Sequence, residues 1–202
     1  MRIRPWAGQD AVSEPEAALR LVRGLQAGES WALPALVETH AAWVRRILIR
    51  VLGNDGGDHA ELVQEVFVRA WRGIERLEKA ESLRAWLASI AVFVARAEIR
   101  GRRRRRWLTF TARPPEPAVR TGGPELEAAA EAVYAVFDRM PPDERIPFAL
   151  HKIEGLGLVE TAAACGVSLS TVRRRLAQAQ RRFFKLARAE ETLAPWLEGW
   201  SP

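Results

Sequence analysis

Cysteine and histidine are scarce in this chain of 202 residues, which has one cysteine and three histidines. A single thiol excludes an internal disulfide and fits a reducing compartment. Cys165 precedes a glycine, and we expect it to be a small buried residue. No metal-ligand spacing relates it to the histidines His40, His59 and His151, so we predict no metal site.

Long apolar runs and catalytic clusters are also absent from the sequence. No stretch approaches the length of a membrane span, and no apolar run follows Met1, so we expect a cytoplasmic protein without a membrane partner. No serine, histidine or paired-carboxylate arrangement qualifies as catalytic, and the Gly155-Leu156-Gly157 string lacks the rest of a phosphate loop. We therefore predict neither an enzyme nor a cofactor.

Lysine is rare as well, because only three of the 31 basic residues are lysines. The formal net charge is +6 and the sequence pI is about 10.5, and arginine carries nearly all of this excess. A basic balance favours a polyanionic partner, for which nucleic acid is the first choice and an acidic membrane surface the second. The hydrophobic share of 48% is ample for packed cores, which indicates a folded protein.

Apolar residues recur at helical spacing through most of the chain, which predicts an all-α protein. Proline and glycine concentrate in residues 109–124, and this composition predicts a semi-extended linker. The sequence thus predicts two small helical domains, at 14–108 and 125–189. A tail at 190–202 has leucines and tryptophans at helical spacing, so it either packs on the second domain or forms a docking segment. The predicted helices cover residues 16–25, 30–52, 58–77, 82–106, 125–140 and 144–153, and Pro147 is expected near the first turn of the last of them.

Residues 156–183 are typical of a helix-turn-helix. Gly166 suits the left-handed position that ends a helix, and Ser168 or Ser170 can cap the next one. In that second helix one stripe is apolar, formed by Leu169, Val172, Leu176, Ala179 and Phe183. The opposite face carries Ser170, Thr171, Arg174, Gln178 and Arg181, flanked by Arg173, Arg175 and Arg182. Arginine and glutamine can read guanine and adenine in a major groove, so this face is a candidate DNA-reading surface. The alternative is an amphipathic helix with a solvated basic face.

Two further surfaces lie in the first domain. The third helix has an outer face of mixed polar and apolar character, which is typical of a protein-binding surface. The fourth helix ends in five consecutive arginines at residues 102–106, with Arg100 and Arg96 one and two turns before Arg104. Such a basic rod binds phosphates without reading sequence, unless it is a solvated and frayed helix end.

The order of these parts closely resembles an extracytoplasmic-function sigma factor of bacterial RNA polymerase. The resemblance rests on ELVQEVFVRAWR at residues 61–72, LRAWLASIA at 83–91, MPP at 140–142, EGL at 154–156 and GVSLSTVRRRL at 166–176. It implies a first domain that binds the clamp helices of the largest polymerase subunit and helps open the minus-ten element. It also implies a second domain that reads the minus-thirty-five element. An anti-sigma partner is common in this family.

Site residues follow from the matching positions and from the faces described above. The resemblance places Glu61, Gln64, Glu65 and Val68 against polymerase. The minus-ten candidates are Glu78, Lys79, Arg84, Arg96, Arg100 and Arg103. The minus-thirty-five candidates are Ser170, Thr171, Arg173, Arg174, Arg175, Gln178 and Arg181. Trp86 matches a family tryptophan, and its spacing favours core packing over base stacking.

The chain departs from the family pattern around the minus-ten region. The segment LEKAESL at 77–83 lacks the glycine of the family loop, and Val92, Phe93 and Ala97 replace polar family residues. Val92 is expected on the face of Arg96 and Arg103, where an apolar side chain reads no donor pattern. Two consequences are open. Either the protein recognises an unusual minus-ten sequence, or it is a sigma-like adaptor or helix-turn-helix regulator that does not itself support promoter opening.

Overall fold

The structure, a computed structural model, describes residues 15–52, 59–106 and 124–197. Within these ranges the chain is helical and contains no strand. The helices are α1 (Pro15–Gln26), α2 (Ala32–Leu52), α3 (His59–Gly73), α4 (Leu83–Arg106), α5 (Pro124–Asp138), α6 (Pro142–Phe148), α7 (Leu158–Cys165), α8 (Leu169–Ala187) and α9 (Ala194–Leu197). In the part of the chain that is described, no helix is long and apolar enough to cross a membrane.

Helices α1 to α4 form the first bundle, in which α2, α3 and α4 pack on one another. The apolar stripe that helical spacing predicts for the third helix, Leu62, Val66, Phe67, Ala70 and Ile74, is buried except at Leu62, which is partly buried. That helix is shorter than predicted, because α3 ends at Gly73 and a 3-10 turn, Ile74–Arg76, replaces its last residues. Trp86 is partly buried and packs against the core, as its spacing predicts.

Helices α5 to α8 form the second bundle around an aromatic cluster. Phe148 and Phe183 stack with centroids 5.3 Å apart, and Phe137 lies 6.0 and 5.7 Å from them. Rings at these separations add favourable pair geometry to their burial. Leu193 of the tail is buried beside α5 and α8, so this part of the tail packs on the second bundle. Trp200 lies outside the described residues.

The prolines of the second bundle correct two predictions. Pro124, assigned to the linker, is the first residue of α5. Proline suits the first position of a helix, because the backbone N–H that proline lacks would have no partner within the helix there. The rest of the predicted linker lies outside the described residues. Pro147, expected in a first turn, is the sixth residue of α6, which begins at Pro142 and continues as a π-helix, Ala149–Ile153.

The two bundles share one buried cluster, which the sequence did not predict. Residues from α2, α3 and α4 pack together with Ile146, Leu150, Leu156, Ala164 and Cys165 of the second bundle. Helix α4 lies against α7, and α2 lies against α6. The helix-turn-helix is therefore held against the first bundle in this structure.

Candidate protein and nucleic-acid interfaces

Local hydrogen bonds fix the turn between α7 and α8. Gly166 ends α7 with φ of 66°, the left-handed conformation predicted for it. The Thr171 backbone N–H donates to Ser168 Oγ over 3.3 Å, so Ser168, rather than Ser170, is the N-cap of α8. At the start of α7, the Gly157 N–H donates to Glu160 Oε2 over 2.7 Å. Both helices thus begin with a satisfied donor.

Helix α8 separates a packed face from an exposed one. Val172, Leu176 and Ala179 are buried, whereas Leu169 and Phe183 of the predicted stripe are only partly buried. The exposed side chains include most of the predicted reading residues: Ser170, Arg173, Arg174, Gln178 and Arg181. Thr171 is half-buried, with its Oγ1 atom 2.9 Å from Ser168 Oγ. The face has the donors and acceptors that base edges require.

Two arginines beside that face are already paired. Arg175 is 19% exposed, and its Nη2 atom lies 3.3 Å from Asp143 Oδ2. Arg182 donates to both carboxylate oxygens of Glu144, over 2.6 and 3.2 Å. Because these contacts fix both guanidinium groups on the surface of α6, neither group is as available to a phosphate as the exposed Arg174.

An apolar groove of about 800 Å³ runs between α2 and α3. Its walls include Leu33, Val37, Val63, Phe67, Val68 and Trp71. Arg45, Gln64 and Arg72 supply polar groups along the same groove. Val37 and Trp71 are among the exposed large hydrophobic residues, at 36% and 38% of full exposure. An open apolar channel of this kind fits a helical partner.

The four predicted polymerase-facing residues divide between two sides of α3. Gln64 and Val68 line the groove. Glu65 accepts a hydrogen bond from Arg69 Nε over 2.6 Å, and Glu61 is exposed in the first turn. The structure therefore brings two of the four into the groove and leaves the other two outside its lining.

The minus-ten candidates occupy different environments. Glu78, Lys79 and Arg100 are exposed. The Arg84 guanidinium lies 4.7 Å from the Trp43 ring centroid. Burial lowers the pKa of this guanidinium from its ordinary value. The side chain of Arg103 lies outside the described set, although its backbone belongs to α4.

Arg96 is half-buried and turned toward the second bundle. Its Nη1 atom donates to the Cys165 carbonyl over 2.8 Å, and its Nη2 atom lies 3.9 Å from Asp143 Oδ1. Val92, one turn earlier, is only 1% exposed, so the expectation that it lies on a nucleic-acid face is wrong. The reason is packing, because Val92 belongs to the buried cluster that the two bundles share.

Phe93 is an exposed aromatic residue that the sequence reasoning did not select as a site. It is 52% exposed, and the Arg69 guanidinium lies 4.9 Å from its ring centroid. Phe93, Ala97, Arg100 and Arg104 recur at helical spacing and are all exposed. An aromatic residue out of phase with the buried stripe was the signal that could have identified it.

Comparison with known proteins defines the class to which this fold belongs. Sigma-70 region 2 matches residues 36–105, and sigma-70 region 4 matches residues 130–183. The first matched region covers most of the lining of the α2–α3 groove and nearly all of α4, and the second contains the helix-turn-helix. The fold is thus a pair of sigma regions separated by a linker region.

Curated relatives narrow this class. The ECF RNA polymerase sigma factor SigE of Mycolicibacterium smegmatis is 33% identical over 159 residues, covering 74% of this chain and 60% of that protein. A probable RNA polymerase sigma-C factor of Mycobacterium bovis is 31% identical over 171 residues, covering 83% and 90%. This chain belongs to the extracytoplasmic-function, or ECF, family of RNA polymerase sigma factors. It spans 60% of the first relative's length and most of the second's.

Two solved structures share the fold. CnrH, determined in complex with the cytosolic domain of CnrY, aligns with a TM-score of 0.64 at 23% identity, covering 85% of this chain and 97% of that one. The sigma factor RpoE of Bartonella quintana, determined in complex with the anti-sigma factor NepR, aligns with a TM-score of 0.62 at 21% identity. That alignment covers 78% of this chain and 98% of RpoE.

Proposed function

We propose that this protein is a cytoplasmic initiation factor that binds core RNA polymerase and directs it to a specific set of promoters. It performs no chemistry of its own, since phosphodiester synthesis belongs to polymerase. The α2–α3 groove carries the proposal, because it is a preformed apolar channel within the region that matches sigma-70 region 2.

The occupant proposed for the groove is the pair of clamp helices of the largest polymerase subunit. A helix buries its apolar stripe in a groove and leaves its polar flanks to the rim. Val68 and Trp71 supply apolar wall, and Gln64 and Arg72 supply polar groups to pair with those flanks. Glu61 and Glu65 contribute negative charge beside the groove. This division between anchors and rim is typical of protein interfaces.

The exposed face of α8 is proposed to read the minus-thirty-five element. Arg174 and Gln178 are exposed one turn apart, which allows both to reach base edges from a single groove. Ser170 and Thr171 lie at the N-terminal end of the helix, and Arg173, Arg175 and Arg181 flank it with positive charge. Phosphate contacts from the flanks would set the register of the helix on the duplex.

The minus-ten strand is proposed to follow the exposed side of α4. Arg100 and Arg104 offer positive charge to phosphates, and Glu78 and Lys79 are exposed near the other end of the helix. Phe93, backed by Arg69, provides a flat ring on which an unpaired base can stack. Recognition through these side chains is compatible with an unusual minus-ten sequence.

A charge placed in the groove tests polymerase binding. Val68→Asp should weaken binding to core polymerase at least about a hundredfold, because an unpaired carboxylate would be desolvated in an apolar channel. Val159→Asp is the matched control, since Val159 is 71% exposed on α7 and lies outside the groove. Equal affinity of the two variants for core polymerase would refute the assignment of the groove.

Runoff transcription on a library of genomic fragments tests promoter recognition. The wild-type protein should produce discrete start sites with core polymerase, and Arg174→Ala with Gln178→Ala should lose them. Arg23→Ala removes an exposed arginine of α1 as a control and should keep them. Core binding without start sites would favour the sigma-like adaptor. Absence of both core binding and start sites would favour a separate DNA-binding regulator.

An anti-sigma partner stays a prediction, motivated by the complex in which RpoE was determined.

A further inference from the structure

The segment between α3 and α4 alternates buried anchors with exposed charges. Its anchors belong to the core of the first bundle and are Leu77, Ala80 and Leu83. The charged residues between these anchors are exposed and are Glu78, Lys79 and Glu81. We call residues 77–83 the charged loop. Each of its charged residues is adjacent in sequence to an anchor, so the packing of the anchors sets where the charges lie.

The charged loop follows its path without a glycine. A 3-10 turn, Ile74–Arg76, leads into it, and a second one, Ala80–Ser82, leads into α4. Between the turns, Leu77 and Lys79 have extended backbone, with φ of −83° and −123°. Any residue adopts that conformation, so no left-handed residue is needed at either position. Because other residues have fewer accessible conformations than glycine, the absence of glycine favours a single conformation of the loop.

Helix α1 covers the inner side of the charged loop. It contacts both 3-10 turns, and its residues Leu21, Val22 and Leu25 are buried in the same cluster as the loop anchors. Apolar burial of this kind stabilises the anchors in the core, but it is non-directional. It therefore does not by itself fix the direction of the loop backbone.

Gln26, the last residue of α1, adds the directional contact. Its Nε2 atom donates to the Leu77 carbonyl over 3.1 Å and to the Ile74 carbonyl over 3.4 Å. A carboxamide nitrogen carries two hydrogens, so one side chain can serve both carbonyls, and the shorter bond is the stronger. These carbonyls flank the point where the chain leaves the first 3-10 turn. The Gln26 contact thus fixes the direction in which Glu78 and Lys79 leave the core.

The charges of the loop make its orientation important for DNA. A carboxylate accepts hydrogen bonds from the amino groups of bases and repels phosphates. Glu78 and Glu81 therefore favour a nucleic-acid strand only when they point at base edges, whereas Lys79 can contact a base or a phosphate. A loop that changed its orientation would bring the carboxylates against the phosphates and would distinguish bases poorly.

We infer that Gln26 is a positioning residue for promoter recognition, which holds the charged loop in the conformation that presents its charges to the minus-ten element. The inference rests on the proposed function, because that function assigns Glu78 and Lys79 to this element. Gln26 acts through the loop and not through a DNA contact of its own. A loop that is ordered in advance loses less conformational entropy on binding and keeps its charges in one geometry.

Hydrogen–deuterium exchange tests the Gln26 contact in the free full-length protein. The loop has protected amides to follow, because Leu77 N–H donates to the Ile74 carbonyl and Ser82 N–H to the Lys79 carbonyl, each over 3.0 Å. Gln26→Met keeps the length and helix propensity of the side chain and removes the donor. Exchange in the charged loop should become about fivefold faster in this variant, while exchange in α2 stays as in wild type.

Two further variants control this measurement. Gln26→His at about pH 8 offers a neutral ring N–H at a similar reach, and it should restore loop exchange to within about twofold of wild type. Glu16→Met replaces an exposed residue at the other end of α1, roughly 15 Å away, and should leave loop exchange unchanged. Thermal melting followed by circular dichroism establishes that each variant is folded.

Transcription from a library randomised across the minus-ten element tests the positioning role. Wild type should prefer particular bases there, and Gln26→Met should reduce that preference about fivefold with unchanged affinity for core polymerase. Gln26→His should recover most of it. A triple variant that combines Glu78→Gln, Lys79→Gln and Glu81→Gln should lose the part of the preference that the loop supplies. Adding Gln26→Met to the triple variant should then have no further effect, because Gln26 acts through those side chains.

The outcomes separate the Gln26 contact from the proposed function. Unchanged loop exchange in Gln26→Met would overturn the contact. Faster exchange with an unchanged base preference, or an equal loss of preference in the wild-type and triple-variant backgrounds, would make Gln26 a structural residue only and overturn its positioning role. Failure of wild type to bind core polymerase, or to prefer any minus-ten base, would instead refute the proposed function and the positioning role together. The exchange measurement on the free protein would stand in that case, so the two failures are distinguishable.

Discussion

The stability of the protein should fall steeply in alkaline solution, and Cys165 should cause a defined part of that fall. Burial raises the pKa of its thiol from 9.0 to about 11. In the unfolded chain the thiol ionises near its ordinary pKa, whereas in the folded chain it stays protonated until the higher one. The stabilising contribution is therefore fully present below about pH 9 and is lost as the pH rises to about 11. A difference of two pKa units corresponds to about 2.7 kcal/mol.

Urea unfolding followed by circular dichroism measures this contribution between about pH 8 and pH 11. Arginine, lysine and tyrosine also respond to alkali, so the informative quantity is the difference between wild type and Cys165→Ala. Deleting the sulfur atom lowers the unfolding free energy of the variant by an amount that does not depend on pH. The contributions of the other titrating groups cancel in the difference between the two proteins. The difference in unfolding free energy should shrink by about 2 to 3 kcal/mol over this interval. A difference that is constant with pH would refute the burial of the thiol, and with it the packing of α7 against α4.

Three smaller perturbations test other parts of the structure. Arg145→Ala should cost about 3 kcal/mol in urea unfolding, because the buried guanidinium donates to the Phe137 carbonyl over 3.1 Å, and Arg145→Met should cost less since it keeps the side-chain volume. Gly166→Ala should lower the unfolding free energy by about 1 to 2 kcal/mol through backbone strain alone, because no atom lies within 4 Å of the added Cβ. Gly166→Asn should recover part of the melting temperature that the alanine variant loses, since asparagine adopts the left-handed conformation more readily than alanine. Phe93→Ala should reduce permanganate reactivity of promoter thymines about tenfold while core binding stays unchanged, because a stacking contact contributes about 1 to 3 kcal/mol.

Helical periodicity predicted the elements because each helix buries one face. The stripe of α3 and the separated faces of α8 follow directly from spacing, since a 3.6-residue period places such residues together whatever surrounds the helix. Gly166 was equally readable, because a glycine between two helical patterns has few other roles. Ser168 and Ser170 were both suitable caps, and only the backbone geometry chose Ser168.

The sequence could not show which helix faces would meet each other. Val92 was apolar and out of place on a basic helix, but its phase gave no indication that α7 would cover it. The same limit applies to Gln64 and Glu65. They are adjacent in sequence, yet Gln64 lines the groove while Glu65 pairs with Arg69, on a side of α3 that only the packing of α2 and α4 defines.

Arg96 shows why substitution of a single residue would mislead. Arg96→Ala removes a hydrogen bond to the Cys165 carbonyl and a contact with Asp143, which weakens the packing of the two bundles, and it also removes a positive charge proposed for the minus-ten strand. The first effect acts on the packing of the protein and the second on DNA binding. Asp143→Asn removes the carboxylate that contacts both Arg96 and Arg175, so its combination with Arg96→Ala forms a cycle in which the coupling reports the contact between Arg96 and Asp143 and the residual loss reports DNA binding. A loss of promoter opening that is identical in both Asp143 backgrounds assigns Arg96 to the DNA alone, whereas a loss that shrinks when Asp143 is replaced means that the same guanidinium contributes both to the packing of the two bundles and to DNA binding.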